Sequence, residues 1–261
     1  MISLRGRTAL VTGSSHGVGA AIAEYLAKSG ANVVVHGLDP TQVEAERAKC
    51  AAQGVSAFGV TGDLIENQPA GVAAVVESAF EQAGGIDLLV ANAGTYIDTP
   101  FLEMSYELLD RTMKLNVYSY FLTVQQVARR WVASGTEGRV VLVGSINGRL
   151  SEDVHVAYDA SKGAVDAMVR SLAVSLARRK IRVNGMAPGL VETPLTAPAF
   201  ADPRFRAWME LHTPNGLVPG PEACASTVAF LLSDDAWHVH GQMLLVDGGM
   251  SIWQQPDLPA E

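Results

Sequence analysis

Tyr158 and Lys162 are the pair from which a chemistry can first be argued. They stand at i and i+4 in Tyr158-Asp159-Ala160-Ser161-Lys162, early in a helix-like run over 157–179, so they share one helix face one turn apart. A lysine ammonium beside a phenol favours the phenolate and lowers the tyrosine pKa from its ordinary value of about 10. A tyrosine tuned in this way can give or take a proton near neutral pH. Everyday surface pairs have the same spacing, so the pair needs supporting residues. Ser145 closes the apolar run 139–143 in Val143-Gly144-Ser145, where its hydroxyl can hydrogen-bond a substrate oxygen or cap the following turn. Asn116 lies inside a long helical pattern over 107–133, where asparagine is a mediocre helix former. Its presence there points to a kink or a hydrogen-bonding task.

These residues need elements to position them, and the first is Thr12-Gly13-Ser14-Ser15-His16-Gly17-Val18-Gly19. An apolar strand-like run, 8–11, precedes it and a helix-like run, 20–29, follows. Glycines between a strand and a helix let the backbone approach an anion, and the free N–H groups with the positive end of the helix dipole can hold a pyrophosphate. The G-x-x-x-G-x-G spacing departs from the G-x-G-x-x-G dinucleotide fingerprint, and a purely packing role for the glycines is the plainer alternative. Apolar strand-like runs recur at 32–36, 55–60, 86–91, 139–143, 181–186 and 242–246. Helical patterns fall at 42–53, 69–83, 107–133, 157–179 and 221–233. Strands that are apolar throughout belong to parallel sheets covered on both faces. The alternation predicts one α/β domain over residues 1–261, a doubly wound, seven-stranded parallel sheet of Rossmann type with helices on both faces. Ligands in such sheets bind beyond the carboxyl ends of the strands. The Pro-rich stretch 190–219, with a helix-like piece at 205–211, follows the sixth strand and is expected to form a substrate lid. Asn92-Ala93-Gly94 after the fourth strand, and Asp63 with Leu64 after the third, fall at the same sheet edge. They are ordinary turn residues placed where a cofactor would be contacted.

Composition narrows the classes. The 261 residues are 48 % hydrophobic and 18 % charged, which suits a sizeable core and argues against disorder. A net charge of −8 argues against a nucleic-acid partner, which needs a basic surface. Cys50 and Cys224 have no metal-ligand spacing, and no His/Cys/carboxylate cluster does, so no metal site is expected. The absence of an apolar run of roughly 20 residues and of a secretory h-region predicts no membrane association and a cytoplasmic protein.

Taken together, the motifs resemble those of the short-chain dehydrogenase/reductase superfamily along the whole chain. They are the T-G-x-x-x-G-x-G loop, the N-A-G segment at Asn92, Tyr158 and Lys162 as Y-x-x-x-K, Ser145 upstream, Asn184-Gly185-Met186-Ala187-Pro188-Gly189 as N-x-x-x-P-G, and Val246-Asp247-Gly248-Gly249. The branch is that of 3-oxoacyl-carrier-protein reductases and sugar-alcohol dehydrogenases. The resemblance implies an NAD(P)(H)-dependent oxidoreductase that interconverts a secondary alcohol and a ketone. It implies Tyr158 as general acid/base, Lys162 as the group that lowers its pKa and holds the nicotinamide ribose, Ser145 as the polariser of the substrate oxygen, and Asn116 as support for a water-linked relay. Gly13, Ser15, His16, Gly17, Val18, Gly19, Gly37, Leu38, Asp63, Leu64, Asn92, Ala93 and Gly94 would bind the cofactor. Pro188, Gly189, Val191 and Thr193 would contact its nicotinamide end.

In the family register the NAD-selecting acid position is Gly37, and the position that often carries arginine in NADP-preferring relatives is Leu38. Asp39 could still reach a ribose. His16 occupies a loop position resembling the basic residue of NADP-preferring members, and beside a phosphate the imidazolium is favoured. The balance falls slightly to NADP(H) over NAD(H). The expected partner is a small alcohol or ketone, with Glu152, His155, Trp208, Met209 and His212 as candidates to shape the choice. Arg129, Arg130, Arg178 and Arg179 resemble the patch with which 3-oxoacyl-carrier-protein reductases meet an acidic partner, although solvated helix-end charge is the plainer reading. A homotetramer packed through the two long helices and the last strand is implied by the resemblance. The alternatives are a 3-oxoacyl-carrier-protein reductase and, in another class, a non-catalytic dinucleotide-binding regulator.

Overall fold

A computed structural model describes residues 2–253. Its single sheet has seven parallel strands: β1 (Thr8–Val11), β2 (Asn32–Gly37), β3 (Ala57–Thr61), β4 (Leu88–Ala91), β5 (Arg139–Val143), β6 (Arg182–Pro188) and β7 (Met243–Val246), in the spatial order 3-2-1-4-5-6-7. The order reverses at β1, which pairs with both β2 and β4; Val11 lies opposite Val35 on one side and Val90 on the other. A crevice at the carboxyl ends is therefore built into the topology. Strands β1, β4 and β5 are buried throughout, which explains their unbroken apolar sequences.

Helices cover both faces. On one, α1 (Gly17–Lys28) and α9 (Glu222–Leu232) pack against β1, β2, β4 and β6 through Ile22, Leu26, Val228 and Leu232. On the other, α3 (Ala70–Ala83), α5 (Ser119–Ser134) and α6 (Val156–Leu176) bury Val76, Tyr120, Trp131 and Val169. Burying each such side chain contributes roughly 1.5–3 kcal/mol. The helix α2 (Pro40–Ala51) completes the β2–β3 crossover, and Asp39 caps it by accepting from the backbone N–H groups of Thr41 (2.7 Å) and Gln42 (3.3 Å).

Three boundaries differ from expectation for physical reasons. Helix α1 begins at Gly17 rather than at residue 20, so the helix takes in the last three residues of the glycine loop. The pattern over 107–133, read as one long helix with a bend, is two helices, α4 (Tyr106–Met113) and α5, and the bend is a π turn at Lys114–Tyr118 that contains Asn116. The stretch 190–219 carries two short helices, α7 (Ala197–Phe200) and α8 (Pro203–Leu211). Cys50 and Cys224 are buried and free, and burial pushes both thiols up to about 12. Among the described residues no group of three or more His, Cys, Asp or Glu side chains is placed to hold a metal, and no helix is long and apolar enough to cross a membrane.

Candidate active site

The glycine loop is fixed from both sides. The Thr12 hydroxyl accepts from the backbone N–H groups of Asn92 (3.0 Å) and Ala93 (3.2 Å), and Asn92 Nδ2 donates to the carbonyls of Thr12 (3.1 Å) and Gly13 (3.0 Å). Gly13 has φ +62°, and a Cβ there would stand 2.7 Å from Ala93 Cα; a Cβ on Gly19 would stand 2.3 Å from the Gly13 carbonyl oxygen. Two of the three glycines are therefore demanded by packing inside the protein. A packing role leaves room for a ligand role, because packing is what brings the loop against the Asn92 segment.

His36, in the interior of β2, is the residue that sequence reasoning missed. Its Nδ1 accepts from the Gly13 N–H (3.1 Å), so its proton is on Nε2, which donates to the Gly62 carbonyl (3.1 Å). Main-chain bonds from Ser14 N–H to the His36 carbonyl (2.8 Å) and from His36 N–H to Ser14 Oγ (3.0 Å) complete the clamp. Burial lowers its pKa to about 4 against the opposing pull of the Gly62 carbonyl and Asp63, so the ring is neutral at pH 7. An apolar run conceals such a histidine; the one signal was a titratable residue directly after three valines.

The N-cap of α1, His16, makes no side-chain cap bond. The first-turn N–H groups of Gly17, Val18 and Gly19 thus face the cleft without a side-chain partner, and their donors and the helix dipole suit a pyrophosphate. The residues present fit a dinucleotide. The cleft has a volume of about 460 Å³, and Gly13, Ser15, His16, Gly17, Val18, Gly19, Gly37, Leu38, Asp63, Leu64, Asn92, Ala93, Gly94, Tyr158, Lys162, Pro188 and Thr193 all line it.

Two expected nicotinamide contacts are not on that wall. Val191 is 6 % exposed and packs in the core under α9. Gly189 N–H donates to the Val246 carbonyl (2.9 Å), and a Cβ at Gly189 would meet Asp247 at 2.8 Å; its glycine serves the β6–β7 junction. Asp39 lines the cleft, but one carboxylate oxygen is held by the α2 cap. Asp63 lines it while accepting from Ile65 N–H (2.7 Å) and Glu66 N–H (3.4 Å) as an Asx turn.

Helix α6 places Tyr158 and Lys162 at the carboxyl edge of β5. Lys162 is 4 % exposed; its Nζ donates to the Val143 carbonyl (3.0 Å) and lies 5.6 Å from the Tyr158 ring centroid. Burial brings its pKa down to about 8. The tyrosine does not show the depression expected from the pair. Burial pushes Tyr158 up to about 12, with a hydrogen bond to Ser145 pulling the other way. Desolvation outweighs the distant ammonium, so the phenol is protonated and placed as a proton donor. The backbone N–H of Asn147 donates to Ser145 Oγ (3.1 Å), so that serine caps the turn that follows β5.

Both readings of Asn116 hold. It sits in the π turn, where its Nδ2 donates to the Thr95 carbonyl (2.8 Å) and Ser161 Oγ (3.0 Å) while Oδ1 accepts from Thr95 N–H (2.9 Å). A Cβ on Gly94 would lie 3.3 Å from Asn116 Oδ1 and 3.8 Å from Lys162 Nζ. Asn116 therefore joins the loop after β4 to α6, and both its Nδ2 hydrogens are used in doing so.

A protonated phenol and a buried lysine thus stand on the wall of the glycine-loop cleft, with the Ser145 turn after β5 close by. The family model described as Enoyl-(Acyl carrier protein) reductase matches residues 13–251. The L-rhamnose 1-dehydrogenase (NAD(P)(+)) of Sphingomonas sp. strain SKA58 is 36 % identical over 252 residues, covering 95 % of this chain and 98 % of that one. The 3-oxoacyl-[acyl-carrier-protein] reductase of Aquifex aeolicus is 35 % identical over 95 % of this chain and 99 % of its own. The crystal structure of a gluconate 5-dehydrogenase from Burkholderia cenocepacia J2315, in complex with NADP and tartrate, superposes with a TM-score of 0.91 at 31 % identity, covering 97 % of this chain and 98 % of that one. The chain belongs to the short-chain dehydrogenase/reductase superfamily. It is an NAD(P)-dependent oxidoreductase that interconverts a secondary alcohol and a ketone.

Proposed function

We propose that Tyr158 is the general acid/base of this reaction, that Ser145 orients and polarises the substrate oxygen, and that Lys162 holds the nicotinamide ribose. The observation that carries this reading is Tyr158 beside buried Lys162 on the lining of the glycine-loop cleft, with the Lys162 ammonium 5.6 Å from the Tyr158 ring centroid. The cofactor supplies the hydride when bound. The chain supplies the proton at Tyr158 Oη, a serine hydroxyl for the substrate oxygen, and N–H donors for the pyrophosphate. Asn116 acts by positioning the Thr95 loop against α6. The test is a spectrophotometric screen of alcohols and ketones with NAD(H) and NADP(H), which should yield turnover that requires Tyr158. The chain is one catalytic domain, with the segment over about 190–219 as substrate lid. Tyr96 Oη donates to the Leu195 carbonyl (3.3 Å), joining that segment to the mouth.

NADP(H) is the slightly favoured cofactor. A Cβ at Gly37 would stand 2.6 Å from Ser15 Oγ and 3.0 Å from Val43 Cγ2, so Ser15 occupies the space an NAD-selecting carboxylate would need. Ser15 Oγ is 3.1 Å from His16 Nδ1, next to exposed Leu38. We expect His16→Ala to raise KM for NADP by about tenfold, the worth of one hydrogen bond to a charged group, and to leave KM for NAD within about twofold. Equal effects on both cofactors would remove His16 from the 2′-phosphate site.

The assembly proposed is a homotetramer, supported by large apolar side chains exposed just before α4, within it, and in the turn and helix that follow. Leu102 is 94 % exposed and Tyr106 74 %, and Tyr118 and Phe121 are half exposed; large apolar side chains left in water favour an interface that covers them. Light scattering should give about four times the chain mass of 27.6 kDa, and Tyr118→Glu with Phe121→Glu should lower it. Free buried thiols at Cys50 and Cys224 support a cytoplasmic setting. A second reading, 3-oxoacyl-carrier-protein reduction, draws on the Aquifex relative. Its basic patch is weakened by Arg130, which lies over the Phe80 ring and donates to the Gln126 carbonyl.

A further inference from the structure

Two loops meet across the mouth of the site and enclose a histidine between carboxylates. Thr99 N–H donates to the Val154 carbonyl (3.0 Å), joining the loop after β4 to the loop before α6. Inside this junction the His155 side chain is 15 % exposed, with Nε2 2.6 Å from Asp98 Oδ1 and Nδ1 3.2 Å from Glu152 Oε2. The second approach is off the line a hydrogen bond needs, and Nδ1 is left without a hydrogen-bond partner. Both ring nitrogens face carboxylates, an arrangement suited to the imidazolium. Burial opposes protonation, yet the bond to Asp98 and the charges of Glu152 and Asp98 prevail and raise the His155 pKa.

The cluster is continuous with the reacting groups. The rings of Tyr96, His155 and Tyr158 stand edge to face, with centroids 5.4, 6.0 and 6.1 Å apart. Glu152 Oε1 accepts from Asn147 Nδ2 (3.0 Å), which also donates to Asp159 Oδ1 (2.9 Å), and Asn147 N–H donates to Ser145 Oγ (3.1 Å). A polar wall thus runs from the serine that polarises the substrate to Asp98 at the rim. The Asp98 and Glu152 side chains are 65 % and 58 % exposed, so their remaining lone pairs are open to a ligand. With an imidazolium between them, the three groups carry one net negative charge.

We propose that Asp98 and Glu152, braced by His155, form a hydroxyl-accepting rim that selects a neutral polyhydroxylated substrate, an uncharged sugar or polyol, over aldonates and over acyl thioesters. The proposal rests on the assignment of Tyr158 and deepens it by naming the substrate class. Ionised carboxylates accept hydrogen bonds and donate none, so they seek ligand hydroxyls and form short, charge-assisted bonds with them. A substrate carboxylate at the same place meets like charge. An acyl chain laid over the rim would desolvate both carboxylates with nothing to pair them, which is strongly unfavourable.

The test is steady-state kinetics on three panels: neutral aldoses and polyols, the corresponding aldonates and ketoaldonates, and acyl thioesters. Wild type, Asp98→Asn, Glu152→Gln and the double variant are compared, with cofactor fluorescence as a check that the variants fold. Expected is a wild-type kcat/KM for the best neutral polyol at least about tenfold above that for any aldonate or thioester. The variants should raise KM for that polyol about tenfold, with the larger part of the effect in KM rather than kcat, and should narrow the gap to the aldonates, the size of change that loss of one charged hydrogen bond produces. Preference for an aldonate or thioester, or variants with unchanged KM, overturns the rim. If such a substrate is turned over and Tyr158→Phe abolishes that activity, the rim fails while the assignment of Tyr158 stands. Activity that survives Tyr158→Phe, or no turnover on any panel, overturns both.

Discussion

Replacing Tyr158 with phenylalanine is expected to lower kcat by roughly 10²–10⁴-fold, the usual contribution of a positioned proton donor, while NAD(P)H binding is retained. The substitution is clean because the ring's packing does not depend on the hydroxyl. Tyr158 stands edge to face against Tyr96 and His155, and phenylalanine keeps both contacts. The group lost is the protonated phenol that burial holds at about 12. The Lys162 ammonium keeps its bond to the Val143 carbonyl, so the cofactor-facing wall is unchanged. Steady-state turnover together with fluorescence titration of the reduced cofactor separates the two effects. Undiminished turnover would remove Tyr158 from the chemistry.

The second large effect is a loss of stability in acid, carried by His36. Its folded-state pKa is about 4 against an ordinary 6.5. The folded ring stays neutral while the unfolded one takes up a proton, so between those pH values the unfolded chain binds more protons and stability falls as pH falls. At about 1.4 kcal/mol per pH unit the window is worth roughly 3 kcal/mol, a large share of a typical 5–15 kcal/mol. The contribution is fully present above pH 6.5 and is lost on descending to about 4. His36→Phe should be less stable at pH 7, because Gly13 N–H loses its acceptor, yet flatter toward acid. Urea unfolding of both proteins at pH 7, 5.5 and 4 reads the difference. A gap that stays constant with pH would show that His36 does not titrate in this window.

The parts of the fold legible in the sequence were those with a local cause. Unbroken apolar runs gave the buried parallel strands, and the glycine spacing with Tyr158 and Lys162 gave the cleft. The depressed tyrosine pKa was the misleading expectation, since helical spacing puts Lys162 on the right face but says nothing about burial, which dominates. His36 was illegible because a strand conceals what its ring reaches in two other loops. Val191 and Gly189 sit in the right segment, yet the first turns inward beneath α9 and the second serves the contact with Asp247. The pairing of His155 with Asp98 joins residues 57 positions apart, a separation that only the folded topology closes.

The fit of Ser15 into the space beside Gly37 constrains how this chain can change cofactor over generations. A carboxylate introduced at residue 37 collides with Ser15 Cβ and Oγ as well as with Val43, so it is harmful as a first step. Trimming residue 15 to glycine opens part of that space and makes the acid easier to accommodate afterwards. The two substitutions are coupled by contact and do not add, and the order in which they arise decides whether the lineage stays functional along the way. An acid at the end of β2 and the residue at position 15 of the glycine loop therefore have to change together, and one mutation is a poor route to that arrangement.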